Sequence, residues 1–260
     1  MQYRREIRPK KALGQHFLKD MSVARRIADT LNEYPDLPVL EVGPGTGVLT
    51  RFLVEDKRDL TVVEVDPESI DYLENHYPEL DGRILNADFL KLNLDELFPS
   101  QLAIIGNYPY NISSQIFFKV LDYKDQIPVC SGMIQKEVAE RLASAPGKKA
   151  YGIITVLLKV WYDIEYLFTV GAEVFDPPPK VQSAVIRMTR NDRQSLPCDE
   201  SLLKTVVKTA FNQRRKTMRN SLRGLLNNDA GLLALPIFDK RPEQLSVEEF
   251  IDLTLLIDKR

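Results

Sequence analysis

From Leu37 onward, short runs rich in Val, Ile and Leu alternate with segments of helical period. "LPVLEVG" precedes the helical "VLTRFLVEDK", "DLTVVEVD" precedes "PESIDYLENHY", and "QLAIIGN" precedes "SSQIFFKVLDY". "GRILNADFL" and "QIPVCSGMIQ" read as further strands, the second leading into the helix "KEVAERLAS". Strands joined through helices run parallel, with right-handed crossovers. The pattern therefore predicts an α/β fold built on a doubly wound sheet. Pro67 stands at a first helical position, and Ser113 or Ser114 is the expected cap of its helix. "YGIITVLLKVWYDIEYLFTV" reads as a helix passing into a strand near Tyr162. "SAVIRMT" (Ser183–Thr189) reads as the last strand, antiparallel to its predecessor.

The alternation stops at "RNDRQSLPCDE" (Arg190–Glu200), which is polar, contains a Pro and has no period. Beyond it, "SLLKTVVKTAFNQRRKTMRNSLRGLL" and "SVEEFIDLTLLI" have helical spacing only. The expected organisation is an α/β domain over residues 1–190 and a small all-helical domain over residues 191–260. Two cysteines, Cys130 and Cys198, without CxxC spacing, argue against a disulfide framework or zinc site. The longest apolar run is broken by Lys159 and is too short to span a bilayer, and the basic N-terminus lacks a signal peptide's apolar core. A cytoplasmic protein with no membrane partner and no metal is expected.

The turn after the first strand, "EVGPGTG" (Glu41–Gly47), has GxGxG spacing and no following Lys. Gly43 and Gly45 let the backbone approach a ligand at a helix N-terminus. Glu64 ends the second strand, where a carboxylate can bind both hydroxyls of a ribose. Asp88 ends the third, where it can accept from an exocyclic amine, with Phe89 against the ring. Three strand ends bearing glycines, a ribose acid and an amine acceptor make a nucleoside site, open to either NAD or S-adenosylmethionine.

"NYPY" (Asn107–Tyr110), after the fourth strand, separates the two. An aromatic amine is a poor nucleophile because its lone pair is delocalised. Accepting its N–H hydrogens helps the nitrogen pyramidalise. Asn107 offers an amide oxygen, and the carbonyl of Tyr108, restricted by Pro109, offers a second acceptor. Tyr110 offers a face for base stacking. This set suits direct methyl transfer to an amine, with no metal or covalent nucleophile.

"EVGPGTG" with "NYPY" resembles the adenine-N6 methyltransferases. Together with "KALGQHFL", "KKAYG", "VFDPPPKVQSAV" and "FNQRRKTMRNSL", the chain resembles the small-subunit ribosomal RNA adenine dimethyltransferases along nearly its whole length. The resemblance implies a Rossmann-like class I methyltransferase sheet, S-adenosyl-L-methionine as cofactor, and dimethylation of two adjacent adenosines in the 3′-terminal hairpin of small-subunit rRNA late in subunit assembly. It places Gln15, His16 and Leu18 over the methionine end, Gly43 and Gly45 around the cofactor, Glu64 on the ribose and Asp88 on the adenine. Asn107 and the Tyr108 backbone hold the target amine, and Tyr110 and Phe175 sandwich the flipped base. The chain departs from the family at Tyr108, where a small aliphatic residue is usual; because only the backbone is asked to act, no loss of activity is expected, and the side chain is free to alter entry to the pocket.

Net charge is −2, yet residues 204–223 carry seven Lys or Arg and no acid. On a helix, Lys204, Lys208, Arg215 and Arg219 fall within about 60° of one another. With Arg214, Lys216 and Arg223 they form the candidate RNA-binding set, approximate because the helix is expected to break near "FNQRR". The expected partner is rRNA in an assembling small subunit, and the expected state is a monomer. The alternatives are a large-subunit rRNA adenine methyltransferase, a non-catalytic assembly factor on the same fold, and a protein-glutamine methyltransferase. A dehydrogenase fits worst, because nothing in one needs Tyr110 or the basic tail.

Overall fold

The computed structural model describes Lys10 and His16–Lys259. Its strands are β1 (Phe17–Leu18), β2 (Val39–Val42), β3 (Leu60–Glu64), β4 (Ile84–Asn86), β5 (Ala103–Asn107), β6 (Val129–Gln135), β7 (Tyr162–Val170), β8 (Phe175–Asp176) and β9 (Ser183–Arg190). Its helices are α1 (Met21–Ala28), α2 (Thr50–Glu55), α3 (Pro67–His76), α4 (Leu94–Leu97), α5 (Ser113–Asp122), α6 (Lys136–Ala143), α7 (Ile153–Lys159), α8 (Glu200–Asn212), α9 (Met218–Ser221), α10 (Ala230–Leu233) and α11 (Val247–Asp258).

Seven strands form one sheet in the order β4-β3-β2-β5-β6-β9-β7. The first five pair in parallel. β9 runs antiparallel to β6, in register from Val129↔Thr189 to Gln135↔Ser183. The last strand therefore inserts between its predecessor and β6 instead of extending the edge. Val39, Val62, Ala103, Ile105, Val129 and Met133 pack with Val23, Ile27, Leu53 and Leu73 in one core. The alternate positions Leu40, Val63, Ile104, Cys130 and Ile134 are buried as well, as expected of a parallel sheet covered on both faces. Strand order runs one way from β2 to β3 and the other from β5 to β6. The carboxyl ends of β2 and β5 thus flank the switch point where doubly wound sheets bind ligands.

A second sheet pairs β1 antiparallel with β8, Phe17 opposite Asp176 and Leu18 opposite Phe175. Two residues a side are too few to leave a period in the sequence. At α5 the expected cap is replaced: Ile112 is the N-cap, and the Ser113 hydroxyl donates back to the Tyr110 carbonyl at 3.3 Å.

The chain divides into two compact units, residues 1–139 with 164–190 and residues 140–163 with 191–260. The second unit takes in Glu140–Asp163, which the sequence reading assigned to the first. The reason is α7, whose buried apolar residues pack on α8 of the tail. Inside this unit Phe211 stacks on Phe250 at 5.8 Å and tilts against Tyr151 at 6.1 Å. A reciprocal Ser246–Glu249 box caps α11.

Candidate active site

A cavity of about 400 Å³ opens at the carboxyl ends of β2, β3 and β5. Gly43, Gly45, Glu64, Asp88 and Asn107 border it, as do His16 and Leu18 from the N-terminal segment. Gln15 lies outside the described residues. Gly45 has φ +57° and donates its N–H to Glu64 Oε2 at 3.2 Å, tying the glycine turn to β3. A Cβ at Gly45 would stand 3.0 Å from the Phe17 ring, so β1 rests on the turn because that side chain is missing. Glu64 Oε1 accepts from the N–H groups of Val65 and Asp66 at 2.8 and 2.9 Å. Backbone donors thus hold the carboxylate at the cavity wall with acceptor capacity left on Oε2.

Asp88 accepts the Leu90 N–H at 3.0 Å, as a helix cap does, and also borders the cavity. Phe89 does not face it. Phe89 is 3% exposed, with Lys119 Nζ 5.7 Å from its ring centroid, and the next residue, Leu90, borders the cavity instead. The short turn after Asp88 sends alternate side chains to opposite sides. Val65, an exposed apolar residue beside Glu64, is a second wall to which the sequence reading gave no role.

Glu41, two residues before Gly43, is a further residue of the site. It is 1% exposed, borders the cavity and accepts from the Thr50 hydroxyl at 2.7 Å. Burial, reinforced by Glu64, pushes its pKa up to about 8. Folding therefore takes up a proton at Glu41 above its ordinary pKa of 4.5, so stability falls as pH rises from there to about 8 and levels above it. Glu64, raised by burial, adds to the same slope. Glu41→Gln is expected to flatten the melting temperature against pH between 5 and 9; a slope parallel to that of the wild type would contradict the assignment.

The described residues bordering the cavity include the carboxyl groups of Glu64 and Asp88, with Glu41 held mostly protonated at neutral pH, and no Lys or Arg. Such a wall suits an adenosine ligand that carries cationic groups and repels a pyrophosphate. The cradle, the ribose-height carboxylate and this charge pattern fit S-adenosylmethionine and disfavour NAD.

The target side is built on β5. Asn107 Nδ2 donates to the His16 carbonyl at 3.3 Å. A carbonyl only accepts, so the amide NH₂ must face His16, which leaves Asn107 Oδ1 for another donor. Pro109 and Tyr110 border the same cavity. Tyr110 is held at both ends: its carbonyl receives the Ser113 hydroxyl, and its Oη lies 2.5 Å from Ser183 Oγ at the start of β9. Ser183 was not foreseen, because its motif was read for Phe175 and the prolines.

Phe175 requires a correction. The expected sandwich needs its ring beside Tyr110, but Phe175 is 1% exposed and belongs to the core behind β8. It pairs with Leu18, and both side chains belong to the same core cluster. The ring against Tyr110 is the His16 imidazole, at 5.5 Å between centroids and 27° between planes. His16 Nδ1 also lies 2.9 Å from the Pro177 carbonyl, which fixes the imidazole over the tyrosine.

In the second unit the candidate cations divide. Lys208, Arg215, Lys216 and Arg223 are exposed, and Lys204, Arg214 and Arg219 are half-buried. Arg219 donates to the Leu233 carbonyl at 2.8 Å and pairs with Asp239 at 2.7 Å. Arg214 reaches the Lys148 carbonyl and Glu243. These two arginines tie the fold together. The continuous stripe is interrupted as expected, since α8 stops at Asn212, and Arg215 and Lys216 sit on the turn before α9.

The chain matches the family model described as ribosomal RNA adenine dimethylase over residues 7–259. It is 69% identical over 255 residues to the ribosomal RNA small subunit methyltransferase A of Parabacteroides distasonis, covering 98% of this chain and 96% of that protein. It is 64% identical to the protein of the same name from Porphyromonas gingivalis, covering 97% of this chain and 99% of that one. Among solved structures, a dimethyladenosine transferase from Plasmodium falciparum shares the fold, with TM-score 0.79 at 23% identity over 94% of this chain and 98% of that one. The 23S rRNA methyltransferase ErmE superposes with TM-score 0.68 at 28% identity, covering 92% of this chain and 99% of that one. By its match over residues 7–259 and its 69% identity to a named relative, the chain belongs to the ribosomal RNA adenine dimethylase family.

Proposed function

We propose that the chain transfers methyl groups from S-adenosyl-L-methionine to N6 of two adjacent adenosines in the 3′-terminal hairpin of small-subunit rRNA. The observation that carries this reading is the joint placement of the acid-walled nucleoside cradle and the Asn107–Tyr110 motif on one cavity. When bound, the cofactor supplies a methyl group on a positively charged sulfur. Glu64 holds the ribose and Asp88 the adenine, and the Gly43–Gly45 turn admits the backbone close to the ligand.

Asn107 Oδ1 and the Tyr108 carbonyl accept the two N–H hydrogens of the target N6. They draw its lone pair out of the ring and stabilise the positive charge that builds on nitrogen. Pro109 holds the geometry, and Tyr110 stacks on the flipped base, which offsets part of the few kcal/mol that flipping costs. Once methylated, N6 is cationic and strongly acidic, so its proton passes to water. The His16 imidazole covers one face of Tyr110, so a base taking that face displaces it.

The exposed cations of the second unit, with Arg215 and Lys216 at their centre, are proposed to meet rRNA phosphates, and the substrate is proposed to be an assembling small subunit met by a monomer. Arg215→Glu with Lys216→Glu is expected to weaken small-subunit binding and to reduce the slope of log K against log salt by about two. Unchanged binding would remove this turn from the RNA site. Arg219 is left unchanged in this variant, since replacing it would break its tie to Leu233 and Asp239.

The large-subunit alternative has ErmE behind it at 28% identity, against 69% and 64% for relatives named for the small subunit. A mass map of rRNA methylation from cells with and without the gene tests the choice. Loss of two adjacent dimethyladenosines from small-subunit rRNA is expected; loss from large-subunit rRNA would reverse it.

A further inference from the structure

The family resemblance leads one to expect a small aliphatic residue where Tyr108 stands. Its ring does not enter the cavity. Tyr108 is 1% exposed, and its ring lies against the backbones of Gly106 and Gly132, which are paired in register across β5 and β6. A Cβ at Gly106 would come within 2.9 Å of Tyr108 Cε1 and 2.6 Å of the Val42 carbonyl. At Gly132, where φ is +154°, it would come within 2.6 Å of Tyr108 Cε2 and 2.2 Å of the Gly106 carbonyl. Two facing glycines thus open the slot that the tyrosine fills. Phe117 closes it edge-on at 5.8 Å and 81°.

At the far end of the slot, Tyr108 Oη donates to the Ser131 carbonyl at 2.7 Å and lies 3.3 Å from Cys130 Sγ. Burial raises the pKa of both groups, the thiol to about 12, so both stay protonated. At the near end, the Tyr108 N–H donates to the Met133 carbonyl at 3.0 Å, and Pro109 restricts the backbone after it. Tyr108 borders the cavity, and its carbonyl lies between these two anchors.

We propose that the Tyr108 side chain is a positioning residue, tethering β5 to β6 through its hydroxyl so that its own backbone carbonyl is held at the site of the target amine. The inference rests on the proposed role of that carbonyl. An aliphatic side chain fills volume but has no polar end to fix, and the peptide plane then keeps more freedom to tilt. Positional errors near 1 Å at a reacting group cost up to about a hundredfold in rate.

The test compares Tyr108→Phe, which keeps the ring and loses the tether, with Tyr108→Leu, which loses both. Asn107→Ala is run beside them. The measurements are steady-state methyl transfer to undermethylated small subunits well below the melting temperature of each variant, cofactor affinity by calorimetry, and thermal melts. Tyr108→Phe is expected to lower kcat by about tenfold, with KM for the subunit and cofactor affinity within twofold of wild type. Tyr108→Leu is expected to lose at least as much. If either variant folds and keeps wild-type kcat, the ring merely packs and the inference is overturned, even where the melting temperature falls. If Asn107→Ala also stays active, the reading of the whole site fails; if only Asn107→Ala is inactive, the tether alone fails.

Discussion

Asn107→Ala is expected to lower methyl transfer by about two to three orders of magnitude while cofactor affinity stays within a few fold. The amide does two things that alanine cannot. Its NH₂ group donates to the His16 carbonyl, which sets the side-chain orientation. In the proposed mechanism its oxygen then accepts from the target N6, an interaction that strengthens as positive charge develops and therefore lowers the barrier more than it tightens binding. In the proposed site the cofactor is held by other residues, chiefly Glu64, Asp88 and the glycine turn. Calorimetry on the variant separates the two contributions. Cofactor binding lost along with activity would make Asn107 a structural residue of the cradle. Asparagine to aspartate is a useful companion, because it retains an acceptor while losing the donor to His16.

Glu64→Ala is expected to act on the other half of the site, weakening cofactor binding on the order of a hundredfold, as loss of hydrogen bonds to a charged group does. It is also expected to lower the melting temperature. The carboxylate receives the N–H groups of Gly45, Val65 and Asp66, so its removal leaves three backbone donors, two of them buried, without their partner. Glu64→Gln distinguishes the two effects. The amide oxygen still accepts, and the fold is expected to recover most of its stability, while the ribose contact, now partly faced by a donor, stays weak. Equal cofactor affinity in wild type and Glu64→Gln would show that the carboxylate serves the turn and not the ligand.

Sheet, glycine turn and acceptor motif were legible because each is written locally. β-branched runs separated by helical segments leave little choice but a parallel sheet. A strand end followed by glycines or by "NYPY" places chemistry at its carboxyl edge. What escaped the sequence depends on contacts between distant segments. Nothing near Phe175 reveals that it pairs with Leu18 and shares its core cluster, while His16 lies against Tyr110. Ser183 meets the Tyr110 hydroxyl across 73 residues of chain. Glu41 stood inside a motif that was read for its glycines, although a carboxylate at the end of a buried strand is itself a signal. Helix α7 looked like one more element of the α/β alternation, because an apolar helix does not state which core it joins. The basic tail was legible in composition but not in role: Arg214 and Arg219 carry the same charge as Arg215 but are committed to partners inside the fold.

Tyr108 joins the two kinds of information. Its position in the motif marks it as a backbone acceptor, whereas its ring is explained only by Gly106 and Gly132 on neighbouring strands. A ring at one position is accommodated by absent side chains at two others.

The most direct test is methyl transfer by the purified chain to isolated small ribosomal subunits that lack the modification, with radiolabelled S-adenosylmethionine and mass mapping of the product. The expected result is label confined to two adjacent adenosines of the 3′-terminal hairpin, present as N6,N6-dimethyladenosine and absent with Asn107→Ala. Label in protein or in large-subunit rRNA, or no transfer by a chain that binds the cofactor, would contradict it.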